Sequence, residues 1–241
     1  MSTVLGVIPA RFGSTRFPGK PLAPILGRPM VQWVYEGARA SKLLSRVVIA
    51  TDDGRIAAAA RAFGADAVMT SPDCASGTDR AAEVAASSSC DFVINIQGDE
   101  PLVRGEMLDG LVRGLEESGA PMATLVARVE RLELLNDPHI VKVVADGRGY
   151  ALYFSRSALP HGCSDYFYQH IGIYGYGRDF LLGYKALSPS RLEKAERLEQ
   201  LRALENGWRV RLIEIPRPTL SVDTPADIIK VEEFLVRHSH E

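Results

Sequence analysis

Short apolar runs alternate with helix-like stretches through the first hundred residues, and that rhythm constrains the fold more than any other feature of the chain. Val4 to Ile8 reads as a buried strand, followed by a Gly/Pro-rich loop to about Gly27. Met30 to Ala40 reads as a helix and Val47 to Ala50 as a second strand. Asp52 or Asp53 can cap the Ala-rich helix that runs through Phe63. Ala65 to Met69 is a third short strand, Ser76 can cap a helix around Asp79 to Ala86, and Phe92 to Ile96 is a fourth strand. Such βαβ repetition predicts a mostly parallel, Rossmann-like α/β sheet with helices on both faces.

The second half has a different character. Met122 to Arg128, Ile140 to Ala145 and Tyr150 to Ser155 read as strands with few helices between them. The turn cluster Asp146-Gly147-Arg148-Gly149 makes the last two a hairpin. Ile171 to Tyr176 is another strand, and a long helix is predicted from about Leu192 to Glu205, stopped by Asn206-Gly207. Val210 to Ile215 is a late strand, and Thr224-Pro225 opens the last helix with proline near its first position. No internal repeat, low-complexity tract or linker interrupts the chain. The expectation is one domain, 1–241, whose second half is an antiparallel extension completing a substrate pocket.

Composition narrows the function classes. The net charge of −2, from 28 basic and 30 acidic residues, predicts no nucleic-acid partner and makes any phosphate recognition local. Cys74, Cys90 and Cys163 show no CxxC spacing, and an odd count is a poor disulfide framework. The first apolar stretch is too short for a signal-peptide core, and no run approaches a membrane span. A reducing cytoplasm and no membrane insertion are therefore expected.

The segment from Pro9 to Pro21, PARFGSTRFPGKP, follows the first strand, where open α/β sheets place their ligand crevice. Gly13 and Gly19 permit close backbone approach, while Arg11, Arg16 and Lys20 supply cations. Backbone N–H groups and fixed cations of this kind suit a triphosphate; a Gly/Pro-rich turn with solvated cations is the plainer reading. A P-loop is excluded, because five residues separate Gly13 from Gly19, Pro21 stands where the hydroxyl should be, and Pro24 obstructs the helix. The dinucleotide pattern Gly-x-Gly-x-x-Gly is absent.

Two acidic motifs complete the local reading. Gln97-Gly98-Asp99-Glu100-Pro101 lies at the carboxyl end of the fourth strand, where a carboxylate can ligate magnesium or simply form a turn. Ser221-Val222-Asp223-Thr224-Pro225 supplies a second aspartate, which equally suits a helix N-cap. Ser76 to Asp79 has the form of a capping box, with Asp in place of the stronger Glu.

The run from Val7 to Met30 closely resembles the opening of the 3-deoxy-manno-octulosonate cytidylyltransferase family, and Ser-Thr-Arg-Phe-Pro-Gly-Lys-Pro is its most specific part. The QGDEP and Val-Asp-Thr-Pro segments and Ser76-Gly77-Thr78-Asp79-Arg80 resemble that family as well. The resemblance implies a nucleotidyltransferase that joins CMP from CTP to the anomeric hydroxyl of 3-deoxy-manno-octulosonate, releasing pyrophosphate and activating the sugar for lipopolysaccharide synthesis. It implies Mg²⁺ on Asp99 and Asp223. Arg11, Arg16 and Lys20 would hold the phosphates, with Ala10, Ser14, Ser76, Gly77, Arg80 and Gln97 also lining the substrate site. On the sugar-acid side, YFSR, QHIGIY and LEQLR resemble family segments and nominate Arg156, His170, Tyr174, Glu199 and Gln200. A sugar acid needs a cation for its carboxylate and polar groups for its hydroxyls, which these residues offer. The plainer readings are a structural histidine at His170 and a solvated mid-helix face at Glu199 and Gln200. Residues 1–120 would then serve CTP, and 121–241 the sugar acid and a homodimer contact.

Several positions depart from the family pattern. Cys74 replaces a frequent His, Gly177 a common Arg, Ser221 a common Gly and Ala226 the usual Glu, and residues 160–168 form a shorter connection than in some members. An 8-amino-3,8-dideoxy-octulosonate substrate is the near alternative. A nucleotide-sensing module on the same fold and a nucleotide-sugar-dependent glycosyltransferase are the alternatives from other classes. The second would be expected to carry an Asp-x-Asp motif, which Asp52-Asp53 and Gly98-Asp99-Glu100 do not match.

Overall fold

The computed structural model describes residues 2–13 and 17–238. Two compact units emerge, Met1–Asp109 with Thr219–Glu241, and Gly110–Pro218. The first begins with β1 (Val4–Ala10), a 3₁₀ turn Lys20–Leu22, and a small antiparallel pair, β2 (Pro24–Ile25) and β3 (Arg28–Pro29). There follow α1 (Met30–Arg39), β4 (Arg46–Thr51), α2 (Gly54–Ala62), β5 (Asp66–Met69), α3 (Gly77–Ala86), β6 (Phe92–Asn95) and α4 (Gly105–Ser118), within which the unit boundary falls. β1 pairs in parallel with β4 and β6, and β4 with β5, so the order is β6-β1-β4-β5. Val7, Ile8, Val48, Ile49, Val93 and Ile94 are wholly buried, which is why these strands are apolar on both faces.

β1 is a central strand, and its carboxyl end delivers Ala10 and Arg11 to the crevice. The loop after β6 presses against that end. A Cβ at residue 98 would lie 2.8 Å from the Pro9 carbonyl oxygen, so only glycine permits the approach.

The second unit contains β7 (Met122–Val129), β8 (Lys142–Ala145), β9 (Ala151–Ser155), β10 (Phe167–Gly177), α5 (Arg178–Tyr184), α6 (Arg191–Glu196), α7 (Leu201–Glu205) and β11 (Val210–Ile215). β7 is flanked by parallel β11 and antiparallel β10, and β8 pairs antiparallel with β10 and β9. The predicted hairpin is present, closed by Gly149 N–H donating to the Asp146 carbonyl at 3.0 Å. β10 carries a register shift between Ile171 and Tyr174.

One predicted element is broken. The long helix of Leu192 to Glu205 is two short ones, because Arg197 adopts a left-handed conformation with φ 55°. The reversal turns Leu198, Gln200 and Leu201 inward, at 6, 2 and 0 % exposure, which one straight helix with a solvated Glu-Gln face would not do. Helices α4 and α5 carry no strong sequence signal: α4 has Gly105, Gly110 and Gly114 within it.

The chain returns to the first unit as α8 (Pro225–Arg237). Its N-cap is Thr224, whose hydroxyl and N–H lie 2.8 and 2.9 Å from Asp227 Oδ2 in a capping box. The cap that sequence allows at Asp223 is therefore one residue further on, and Asp223 is spared that duty. Replacing Thr224 with Ala is expected to cost about 1 kcal/mol. Denaturant unfolding that finds no loss would deny the box any weight.

Candidate active site

Lys20 is the hub of the first unit's crevice. Its ammonium donates to Asp99 Oδ2 at 2.6 Å and to the Val222 carbonyl at 2.9 Å, and lies 3.9 Å from Asp223 Oδ1. Val222 N–H donates in turn to the Asp99 carbonyl at 2.9 Å. Three segments far apart in sequence are thus tied at one point. Each is positioned by its own local chemistry. Lys20 opens the 3₁₀ turn behind Gly19, whose φ of 71° favours glycine and whose N–H donates to the Phe12 carbonyl at 2.9 Å. Phe12 lies under the Arg55 guanidinium at 3.4 Å. Val222 is anchored among Ile25, Met30 and Val231 in a buried cluster.

A cleft of about 230 Å³ opens beside this hub, lined among others by Ala10, Arg11, Lys20, Ser76, Gly77, Arg80, Gln97 and Asp99. The structure therefore gathers eight of the residues nominated from sequence. Asp223 joins them through Lys20, while Ser14 and Arg16 lie outside the described residues. Arg11 is exposed at the mouth. Ser76 caps α3 through the predicted box with Asp79. Arg80 is 3 % exposed, and its guanidinium is already engaged by Thr70 Oγ1, the Ser71 carbonyl and Asp52 Oδ2. It stiffens the cleft wall. Cys74 also lines the cleft and donates to Glu83 Oε2 at 3.1 Å; burial and that carboxylate push its thiol up to about 11, away from thiolate chemistry.

Glu100 is the residue that sequence reasoning passed over. Burial, then the adjacent Asp99 carboxylate, push it up to about 8, although the Thr219 hydroxyl donates to its Oε2 at 2.8 Å. At neutral pH it is mostly protonated and contributes little charge. Around Lys20 there remain two carboxylates against one ammonium, an oxygen-donor set that accommodates a hard divalent cation. Among the described residues no three His, Cys, Asp or Glu side chains form a ready-made cage. Such an ion would draw its remaining ligands from water and substrate oxygens, the usual habit of magnesium.

The second unit assembles the other nominated group. Tyr174 O–H donates to Gln200 Oε1 at 3.1 Å, and the His170 and Tyr174 rings lie 5.4 Å apart. Thr124, opposite the β10 irregularity, places its Oγ1 2.9 Å from the Ile173 carbonyl and 3.0 Å from His170 Nε2. With the hydroxyl donating to that carbonyl, it accepts from His170 Nε2–H. His170 is then a neutral imidazole whose Nδ1 is an acceptor. Burial alone holds its basicity down, to about 3. Gln200 Nε2 is buried with no hydrogen-bond partner among the described residues. Glu199 precedes it in the break between α6 and α7, and its carbonyl accepts from Tyr184 O–H at 2.8 Å. Arg156 is part-buried at the end of β9, with Nε donating to the Glu196 carbonyl at 3.0 Å and Nη1 to the Pro138 carbonyl at 2.9 Å. The inward turn of Gln200 had no sequence signal, since it follows from the left-handed Arg197.

Comparison with known proteins gives the family. A family model described as cytidylyltransferase matches residues 5–215. A 3-deoxy-manno-octulosonate cytidylyltransferase of Geotalea uraniireducens (strain Rf4) is 49% identical, with 96% of this chain and 98% of that protein covered. One of the same description from Geobacter sulfurreducens is also 49% identical, covering 96% and 99%. A solved CMP:2-keto-3-deoxy-manno-octonic acid synthetase complexed with CTP superposes with a TM-score of 0.93 at 43% identity, over 98% of this chain and 99% of that one. A cytidylyltransferase structure from Leptospira borgpetersenii serovar Hardjo-bovis (strain JB197), 18% identical with a TM-score of 0.65 over 98% and 88%, shares the fold. The α/β fold expected from sequence is the fold observed, and the chain belongs to the cytidylyltransferase family of nucleotidyltransferases.

Proposed function

We propose that this protein transfers CMP from CTP to the anomeric hydroxyl of 3-deoxy-manno-octulosonate. The anomeric oxygen bonds to the α-phosphorus, the bond from that phosphorus to the bridging oxygen breaks, and pyrophosphate leaves with its electron pair. The hydroxyl proton passes to solvent. The observation that carries the reading is the Lys20 hub, which joins the phosphate-loop lysine to the aspartates of the QGDEP and VDTP motifs in one crevice.

Phosphoryl chemistry of this kind depends on alignment and charge stabilisation. In this reading Lys20, Arg11 and Arg16 offset the triphosphate, and Gly98 lets the β6 loop close on β1. Mg²⁺, held by Asp99 and Asp223, supplies Lewis-acid charge at the phosphates when bound. Ala10, Ser14, Ser76, Gly77 and Gln97 shape the cleft, and Arg80 braces it. Arg156 takes the sugar carboxylate, while His170 Nδ1, Tyr174, Glu199 and Gln200 Nε2 take hydroxyls. CTP recognition falls to the first part of the single functional domain and sugar-acid recognition to the second. A homodimer in the cytoplasm, feeding lipopolysaccharide synthesis, accords with the family relationship. No helix of the described residues is long and apolar enough to cross a membrane.

The deciding experiment is pyrophosphate release from each nucleoside triphosphate across a panel of keto-sugar acids. CTP with 3-deoxy-manno-octulosonate is expected to far exceed UTP, ATP or GTP; equal use of UTP would move the protein to another branch, and preference for the 8-amino acid would change the sugar. Absence of release would leave a sensor or a glycosyltransferase.

Asp223→Asn separates metal ligation from capping. Because Thr224 and Asp227 make the cap, melting should stay within about 0.5 kcal/mol of wild type. Turnover should fall on the order of 100-fold. Wild-type turnover and magnesium dependence would remove Asp223 from the site.

His170 carries a pH signature. Its folded basicity, about 3, lies below the ordinary 6.5, so between those values the unfolded chain binds a proton that the fold refuses. Its contribution therefore lowers stability as pH falls through that window, by up to about 1.4 kcal/mol per unit. His170→Asn should flatten the measured slope by that amount. Identical slopes in the two proteins would mean that His170 accepts its proton in the fold.

A further inference from the structure

Lys142 is wholly buried. Its three N–H donors go to three backbone carbonyls, those of Asp137 at 2.8 Å, Ile140 at 2.6 Å and Arg156 at 2.6 Å. An ammonium taken out of water carries a desolvation penalty of several kcal/mol, which the nearby Asp137 and Glu196 carboxylates offset only in part. Charge-assisted hydrogen bonds offset part of it. An apolar side chain of similar length would fill the space without that penalty. What the cation does specifically is join two things that hold Arg156. It grips the carbonyl of Arg156 itself, and it grips the 137–140 turn from which the Pro138 carbonyl accepts Arg156 Nη1 at 2.9 Å.

The rest of the cradle comes from Glu196. Its carboxylate accepts from Ser155 Oγ at 2.6 Å and from the Arg156 N–H at 3.0 Å, and its carbonyl accepts from Arg156 Nε at 3.0 Å. With Nε and one Nη1 hydrogen so occupied, the guanidinium is fixed in direction before any ligand arrives. Its Nη2 edge remains for a carboxylate. We propose that Lys142 is a positioning residue: by clamping the Arg156 carbonyl and the 137–140 turn together, it pre-orients the Arg156 guanidinium toward the carboxylate of the acidic sugar substrate. The inference rests on Arg156 being the cation that meets that carboxylate.

The test compares KM for the sugar acid with KM for CTP in Lys142→Met, Arg156→Ala and the double variant. Lys142→Met should raise the sugar-acid KM about tenfold and leave the CTP KM within about twofold, since loss of one charge-assisted contact is worth roughly that much. The double variant should be no worse than Arg156→Ala alone. Equal changes in both KM values, or additive losses, would reduce Lys142 to a structural residue. An unchanged sugar-acid KM in Arg156→Ala would instead remove the reading of Arg156 on which the inference stands. Should Lys142→Met fail to fold, the unsubstituted enzyme answers by ¹⁵N NMR. The Lys142 Nζ and Arg156 Nε signals should shift together as the sugar acid is added, in the absence of CTP. Movement of Arg156 with Lys142 silent would overturn the proposal.

Discussion

One ammonium group holds three loops of the first unit in register. Lys20 is bonded to Asp99, to the Val222 carbonyl and, at longer range, to Asp223, so a loop after β1, a loop after β6 and the entrance to α8 share one point charge. Without it, two aspartates near a protonated Glu100 would face each other across the crevice, and the Val222 carbonyl would lose a charged donor. The charge that stabilises the crevice is thus also the charge suited to meet a triphosphate. In the proposed reaction, structure and ligand recognition would draw on the same group.

Much of this was legible in the sequence, for a physical reason. Strand-end loops in open α/β sheets are where ligands gather, so the order of strands and loops alone puts Lys20 and Asp99 in one crevice. The capping box of α3 was legible because Ser76 and Asp79 have the required spacing. Asp223 was ambiguous, because an aspartate beside Thr-Pro fits a cap as well as a ligand. Only the bonds from Thr224 to Asp227 assign the cap elsewhere.

The unreadable features are those set by tertiary packing. Arg197 in a left-handed conformation breaks a run of good helix formers, and no local propensity announces it. Gln200 consequently points inward when the pattern has it on a solvated face. Lys142, within the strand read from Ile140 to Ala145, is buried because two carbonyls of the 137–140 turn and that of Arg156 converge on it, which no local pattern announces. Glu100 looks like the twin of Asp99 and becomes its opposite, one paired with lysine, the other neutral through burial.

The contact between Phe12 and Gly19 reaches further than its own two residues. Gly19 N–H meets the Phe12 carbonyl and Arg55 covers the Phe12 ring, so Phe12 and Gly19 are clasped together against α2. Lys20 follows Gly19 directly, so the ring of Phe12 and the guanidinium of Arg55 act on the crevice without touching it. Loss of the Phe12 ring would be felt at the lysine, one residue beyond the clasp.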